Sequence, residues 1–223
     1  PPFAFSNALS FDGVNDYVTF TPQSVLSSGF CASFWIKFNA LTTYQIIFGS
    51  QTNANNYARF DTSTQFSFRT RSAGASIETF TVPTISTGQW YHVAISLNSG
   101  TNYLWLNAVQ YAGNIGVDYG GETIKIGKLG ARTDNTQPLA AVLDEMAIDM
   151  DGTLNQTQVD ALYNSGLGSD ANSTITAPDL YFKFNQSGTS TTLPDYSGNS
   201  NTGTLVNFTG TYWVEHSNYD TDA

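Results

Sequence analysis

Gln89-Trp90-Tyr91-His92-Val93-Ala94-Ile95-Ser96-Leu97-Asn98, then Ser99-Gly100-Thr101-Asn102, then Tyr103-Leu104-Trp105-Leu106-Asn107 is the stretch that decides the fold class. Two runs rich in aromatic and β-branched residues flank a short turn containing Gly100. That is the pattern of an antiparallel hairpin. The same punctuation continues in both directions. Strands are predicted at 8–11, 17–20, 31–39, 44–50, 57–61, 65–71, 76–82, 90–98, 103–106, 109–111, 124–126, 140–148 and 180–185, separated by Gly, Asn, Ser and Thr clusters. So many short strands at this spacing predict an all-β protein, an antiparallel two-sheet jelly-roll sandwich, and exclude a βαβ fold.

One segment departs from the pattern. Asn155 stands at an N-cap position with Gln158 three residues on, a capping-box arrangement. Val159, Leu162 and Tyr163 then recur at helical spacing, and Gly166 is read as the stop. The expectation is one short helix near 156–164, lying on the sandwich through those three side chains.

Composition narrows the functions. Among 223 residues, charged residues make up 12%, about half the usual share for a soluble domain. Lys and Arg number 8 against 18 Asp and Glu, and no cationic cluster is present in sequence, so phosphate-backbone binding is not expected. An acidic balance leaves carboxylates for a hard cation such as calcium. Cys31 is the single cysteine, in an apolar strand-like run, and is read as a small buried hydrophobe. No apolar run reaches membrane-spanning length and no signal peptide is visible. The opening Pro1-Pro2 without Met is expected of a piece trimmed from something longer.

Several runs, in order, resemble the laminin-G-like jelly-roll family of the concanavalin A-like lectin/glucanase superfamily. They are Ala8-Leu9-Ser10-Phe11-Asp12-Gly13-Val14-Asn15-Asp16-Tyr17-Val18, Phe34-Trp35-Ile36-Lys37-Phe38, Gln89–Ala94, Tyr103–Asn107, and Leu143-Asp144-Glu145-Met146-Ala147-Ile148 with the helix beyond. A further segment, Asp179–Phe184 with Asp195–Leu205, resembles the part that usually precedes the opening run, yet here it comes last. One explanation is a circularly permuted single sandwich over 1–223, in which 179–206 supplies the strand that usually comes first. The alternatives are the start of a second repeat, or a strand added to a neighbouring subunit. The arrangement is similar to modules in phage and marine bacterial surface proteins.

The glucanase relatives use paired glutamates for glycoside hydrolysis. Glu78, Glu122, Glu145 and Glu215 are the only glutamates here, and around Glu145, Asp149 and Asp151 the required spacing is absent. A closing strand with a solvated acidic face is the expected reading. His92 and His216 accompany no nucleophile motif, and His92 is read as a structural sheet residue. The resemblance implies a calcium ion at the sandwich edge, for which the matching residues are Asp12, Asp16 and Asp144. A second candidate is the loop of Asp195, Asn199 and Asn201, whose other reading is an Asx-type turn bonding its own backbone. Glycan contacts are expected from Asn55, Tyr57, Arg132, Asp134 and Asn135, from the 114–119 loop, and on the concave face from Arg59, Arg69, Arg71 or Trp105. N-x-S/T sequons stand at Asn155, Asn172, Asn185 and Asn207.

The sequence therefore points to a non-catalytic recognition module, outside the cell or on a virion surface, binding a glycan or cell-surface polysaccharide with calcium-assisted loops. Other copies of the chain, or other structural proteins of an assembly, are further expected partners. A structural decoration or fibre component without ligand binding is the alternative, and a degenerate glucanase the third reading.

Overall fold

The computed structural model describes residues 7–26, 29–70, 76–98, 101–113 and 123–216. Sixteen strands among them, numbered along the chain, form two sheets. The first runs, in spatial order, β10 (Val109–Ala112), β9 (Thr101–Leu106), β8 (Trp90–Asn98), β3 (Phe30–Phe38), β12 (Ala141–Asp149), β1 (Asn7–Ser10) and β16 (Trp213–Glu215), with β13 (Leu180–Phe182) also on β12. The second runs β14 (Thr192–Leu193), β15 (Gly203–Val206), β2 (Tyr17–Leu26), β11 (Thr123–Leu129), β4 (Gln45–Gly49), β5 (Tyr57–Thr62), β6 (Gln65–Thr70) and β7 (Ser76–Thr81). Every named pair is antiparallel.

Alternation explains the layering. In β5 and β6, Ala58, Phe60, Phe66 and Phe68 enter the core between the sheets, so Tyr57, Arg59, Ser67 and Arg69 face outward. Phe11, Phe34, Phe38, Phe48, Phe80 and Phe182 join the same core, mostly with edge-to-face or tilted rings. Each fully buried ring removes apolar surface worth about 1.5–3 kcal/mol from water, which is how a chain whose only cysteine, Cys31, is free holds together.

The strand β2 extends well past Phe20, through Pro22. The register slips between Ile126 and Lys128 on β11, so the proline meets a bulge rather than a ladder position. Gln51 fills the gap, its amide donating to the carbonyls of Phe20 (2.7 Å) and Gly127 (2.6 Å).

Both parts of the C-terminal segment pair within the chain: β13 lies on β12, with Met146 opposite Phe182, and β15 lies on β2, with Leu205 opposite Val18. The helix α1 spans Gln156–Tyr163 with the reciprocal Asn155–Gln158 cap. Its stop differs from expectation: Asn164, not Gly166, takes the left-handed C-cap conformation (φ 47°). Asparagine tolerates that backbone well enough to end a helix. Val159 and Leu162 pack with Trp105, Ala94, Ala147 and Tyr181 on the outer side of the first sheet. Trp105 is therefore under the helix, 1% exposed, and its indole N–H donates to Gln156 Oε1 at 2.8 Å. It contributes nothing to a concave binding face, contrary to expectation.

Candidate functional site

The outer face of the second sheet gathers most of the residues expected to meet a ligand. Tyr57 and Arg59, two apart on β5, share that face. The Arg59 guanidinium lies 4.5 Å from the Tyr57 ring centroid and 4.3 Å from that of Tyr44, so it is held between two aromatic faces. Its Nε is paired with Asp61, which also accepts from the Ser67 hydroxyl, and its Nη1 donates to Gln137 Oε1 at 3.1 Å. Tyr44 is 47% exposed, which leaves one side of this stack open to solvent.

Two loops close around the stack. In the β4–β5 loop, residues 50–56, the Asn55 N–H donates to Asn53 Oδ1. In the β11–β12 loop, Arg132 Nε donates to the Ala54 carbonyl at 3.0 Å and the Thr133 hydroxyl to the Ser50 carbonyl at 2.7 Å, tying the loops together. Arg132 also pairs with Asp134 at 3.2 Å. The Thr136 hydroxyl, with Arg132 helping, holds the Asp134 carboxyl below its usual range. Behind them Lys128 is nearly sealed off, its ammonium 4.0 Å from the Tyr17 ring centroid and donating to the Arg132 carbonyl and to Asn135 Oδ1. Burial lowers the Lys128 pKa, opposed by Asp134.

Tyr44 (φ 63°), just ahead of β4, and Asn135 (φ 61°) and Gln137 (φ 55°) of the β11–β12 loop have left-handed backbone. Each costs conformational energy that the surrounding bonds must offset, and such positions concentrate at functional sites. Asn55, Tyr57, Arg59, Arg132, Asp134 and Asn135 thus belong to one neighbourhood. Sequence reasoning missed Tyr44, Gln137 and Lys128, because their partners are distant in the chain. Arg71 and the 114–119 loop lie outside the described residues.

The calcium candidates fare differently. Asp12 and Asp16 are neighbours: Asp16 Oδ2 accepts from the Asp12 N–H at 3.0 Å, while Asp12 Oδ1 accepts from Val14 and Asn15. Asp16 Oδ1 is buried without a hydrogen-bond partner, and burial, with Asp12 adding to it, pushes this carboxyl up to about 6. Asp144 does not join them. It is fully buried on the outer side of the first sheet, bonded to His216 Nδ1 at 2.5 Å and to the Glu145 N–H at 2.9 Å. In the other loop, Asp195 spends its oxygens on Tyr181 N, Ser197 N, Ser197 Oγ and Asn201 N, and the Asn199 and Asn201 amides donate to the Asp179 carbonyl. Asp195 Oδ1 with the Ser197 N–H is the Asx-type turn, and the bonds to Tyr181 and Asp179 tie the loop to the start of β13. Among the described residues, no three His, Cys, Asp or Glu side chains are grouped to hold a metal. The donor set the resemblance implies therefore does not fit a three-carboxylate calcium site.

The match to known families decides the lineage. A family model for laminin G domains of the Concanavalin A-like lectin/glucanases superfamily matches residues 12–160. The chain belongs to that superfamily. No curated protein matches this superfamily member in sequence. Among solved structures it is similar to a candidate carbohydrate-binding protein from Bacteroides ovatus, at TM-score 0.69 and 18% identity, over 98% of this chain and 63% of that one. The chain thus spans less than two thirds of the Bacteroides protein. It is similar also to a heptameric SAP-like pentraxin from Limulus polyphemus (TM-score 0.55, 18% identity, 74% of this chain, 85% of that one). Mouse laminin α1 domains LG4-5 follow at TM-score 0.50, with 15% identity over 70% of this chain and 46% of that one. At these identities the likeness is one of fold.

In this superfamily member Glu145 leaves the solvated acidic face expected of the closing strand, whereas Asp149 is half-buried and Asp151 exposed. A bulge between Asp144 and Ala147 breaks the alternation, and Glu145 takes a left-handed backbone (φ 48°) that turns it inward, 4% exposed. Its carboxyl, bonded to the Tyr181 hydroxyl, is pushed up to about 8 by burial. Nearby, His92 is fully enclosed, bonded to the Ser33 hydroxyl at 2.9 Å, and burial holds it down at about 3. His216 stacks on Trp90 with ring centroids 3.7 Å apart. This polar layer is sealed beneath the helix side of the sandwich, where it orients strands.

Proposed function

We propose that this chain is a non-catalytic carbohydrate-recognition module that binds polysaccharide on the outer face of its second sheet. The observation that carries the reading is Arg59 clamped between Tyr44 and Tyr57, with Arg132, Asp134 and Asn135 on the adjoining loop. Sugars offer C–H surfaces that pack on aromatic rings and hydroxyls that bond to guanidinium, carboxylate and amide groups. The site supplies each type, on strands and cross-tied loops that lose little freedom on binding. The Bacteroides ovatus fold-mate is itself a candidate carbohydrate binder, which agrees with this class of ligand.

Absence of catalysis is part of the proposal. Hydrolysis requires two carboxyls at an accessible face, whereas Glu145 and Glu78 are 4% and 1% exposed and bonded to Tyr181 and Asn102. Display outside the cell or on a virion is the setting we favour, supported by the sparsely charged composition. The fibre or decoration alternative drew on a strand free to join a neighbour, and here β13 and β15 both pair within the chain.

A glycan array probed with the wild-type chain and with Tyr44→Ala tests this. Tyr44 is half exposed, so its truncation leaves the fold intact; hits that weaken at least about ten-fold, the loss of one aromatic contact, support the reading. An array blank for wild type, or hits indifferent to Tyr44→Ala, overturns it.

A further inference from the structure

The chain carries a formal charge of -10, yet its cations are not spread evenly. Arg59, Arg69, Lys125, Lys128 and Arg132 all belong to the second sheet or the loop that leaves it. Among the described residues, the ion pairs there are Arg59–Asp61 and Arg132–Asp134. Lys125 is exposed, and Lys128 is spent on neutral acceptors.

Arg69 is the informative member. It stands across from Tyr57 in the ladder, outward on β6, with its guanidinium carbon 5.9 Å from the Tyr57 ring centroid. Arg59 reaches the same ring from 4.5 Å, so two guanidinium groups approach one tyrosine. Arg59 has its carboxylate. Arg69 has no ion pair among the described residues, and its Nε is buried without a hydrogen-bond partner. A buried N–H of a permanent cation left unbonded works against folding. Arg69 as a whole is half-buried, so an anion received at the accessible part of its guanidinium would balance a charge that no described carboxylate meets.

We infer that the polysaccharide this face takes is anionic, bearing carboxylate or sulfate groups, and that Arg69 receives one such group beside the Tyr44–Arg59–Tyr57 stack. The inference rests on the glycan reading above and narrows it. A guanidinium meets either anion through two parallel N–H bonds, and the bond is shorter and stronger than a neutral one.

The test is affinity electrophoresis or calorimetry of the intact chain against polygalacturonate, dextran sulfate, neutral dextran and polyglutamate, with thermal unfolding of each variant. Polygalacturonate or dextran sulfate is expected to bind, more weakly as salt rises from about 50 to 300 mM, with neutral dextran and polyglutamate much weaker. Which of the two binds better separates carboxylate from sulfate. Arg69→Gln is expected to lower that affinity about ten-fold or more while leaving the melting temperature equal or higher, since it removes an unbonded cation. Arg69→Lys, which keeps the charge and loses the fork, falls between. Equal binding of neutral dextran, untouched by Arg69→Gln, overturns the inference and leaves the glycan reading standing. Polyglutamate binding as tightly as the sugars shows mere ion exchange and overturns it as well. No binding to any polysaccharide overturns both. A melting temperature lowered by Arg69→Gln shows a structural arginine and removes the argument.

Discussion

Replacing Glu145 with Gln should change how stability depends on pH, and the size of the effect follows from the burial of that carboxyl. Glu145 is 4% exposed and its folded pKa is raised from 4.5 to about 8, chiefly by burial. A raised folded value means the native state holds a proton that the unfolded chain releases. The group's contribution to stability is complete below about pH 4.5 and is lost as pH rises toward 8. Each pH unit in that window costs about 1.4 kcal/mol, so at pH 7 the loss is roughly 3 kcal/mol, equivalent to roughly 6–12 °C in melting temperature for a domain of this size. Glu145→Gln is neutral at every pH and escapes the loss. Its amide N–H beside the position of the unpartnered Oε1 costs about 1 kcal/mol, but independently of pH. Urea unfolding of both proteins, followed by tryptophan fluorescence from about pH 4.5 to 8, should find the variant about 1 kcal/mol less stable at the acid end, with the curves crossing as pH rises and then separating in favour of the variant. Parallel curves would mean that Glu145 is ionised in the fold, and would refute the reasoning.

Three further outcomes are expected. Asn155→Ala removes the reciprocal cap of α1 and should cost about 1 kcal/mol, seen as a lower urea midpoint with an unchanged slope. His216→Ala strips Asp144 of a buried bond and Trp90 of its stacked ring, and should cost on the order of 3 kcal/mol, measured by thermal unfolding. Chelation should leave glycan binding unchanged, because Asp144 is committed to His216 and the Asp195 loop to its own backbone; binding lost with chelator and restored by calcium would place a cation at Asp12 and Asp16.

Local chemistry made most of the architecture legible. The Asn155–Gln158 box and the Val159–Leu162 spacing define a helix by contacts within one turn, and the helix is there. Strands were expected at 57–61 and 65–71, and in them alternation sets core phenylalanines on one face and Arg59 and Arg69 on the other. Alternation cannot say what covers an outward face, which is why Trp105 was expected at a ligand and lies beneath α1 instead. Nor does it foresee a bulge: one extra residue after Asp144 turns Glu145 from solvent to Tyr181. In the candidate neighbourhood, Asn55, Tyr57, Arg59, Arg132, Asp134 and Asn135 were visible as polar and aromatic residues of loops and of one strand. Tyr44, Gln137 and Lys128 were not, since Arg59–Gln137 and Lys128–Tyr17 are contacts between segments that only the folded sheet brings together.

Hydrogen–deuterium exchange of the chain, with and without an oligosaccharide taken from the array, tests the location of the site most directly. Protection is predicted in the peptides spanning residues 42–59 and 130–137, with little change at 12–16 and 195–201. Protection confined to those last two segments, or to the helix side over 156–163, would contradict the account.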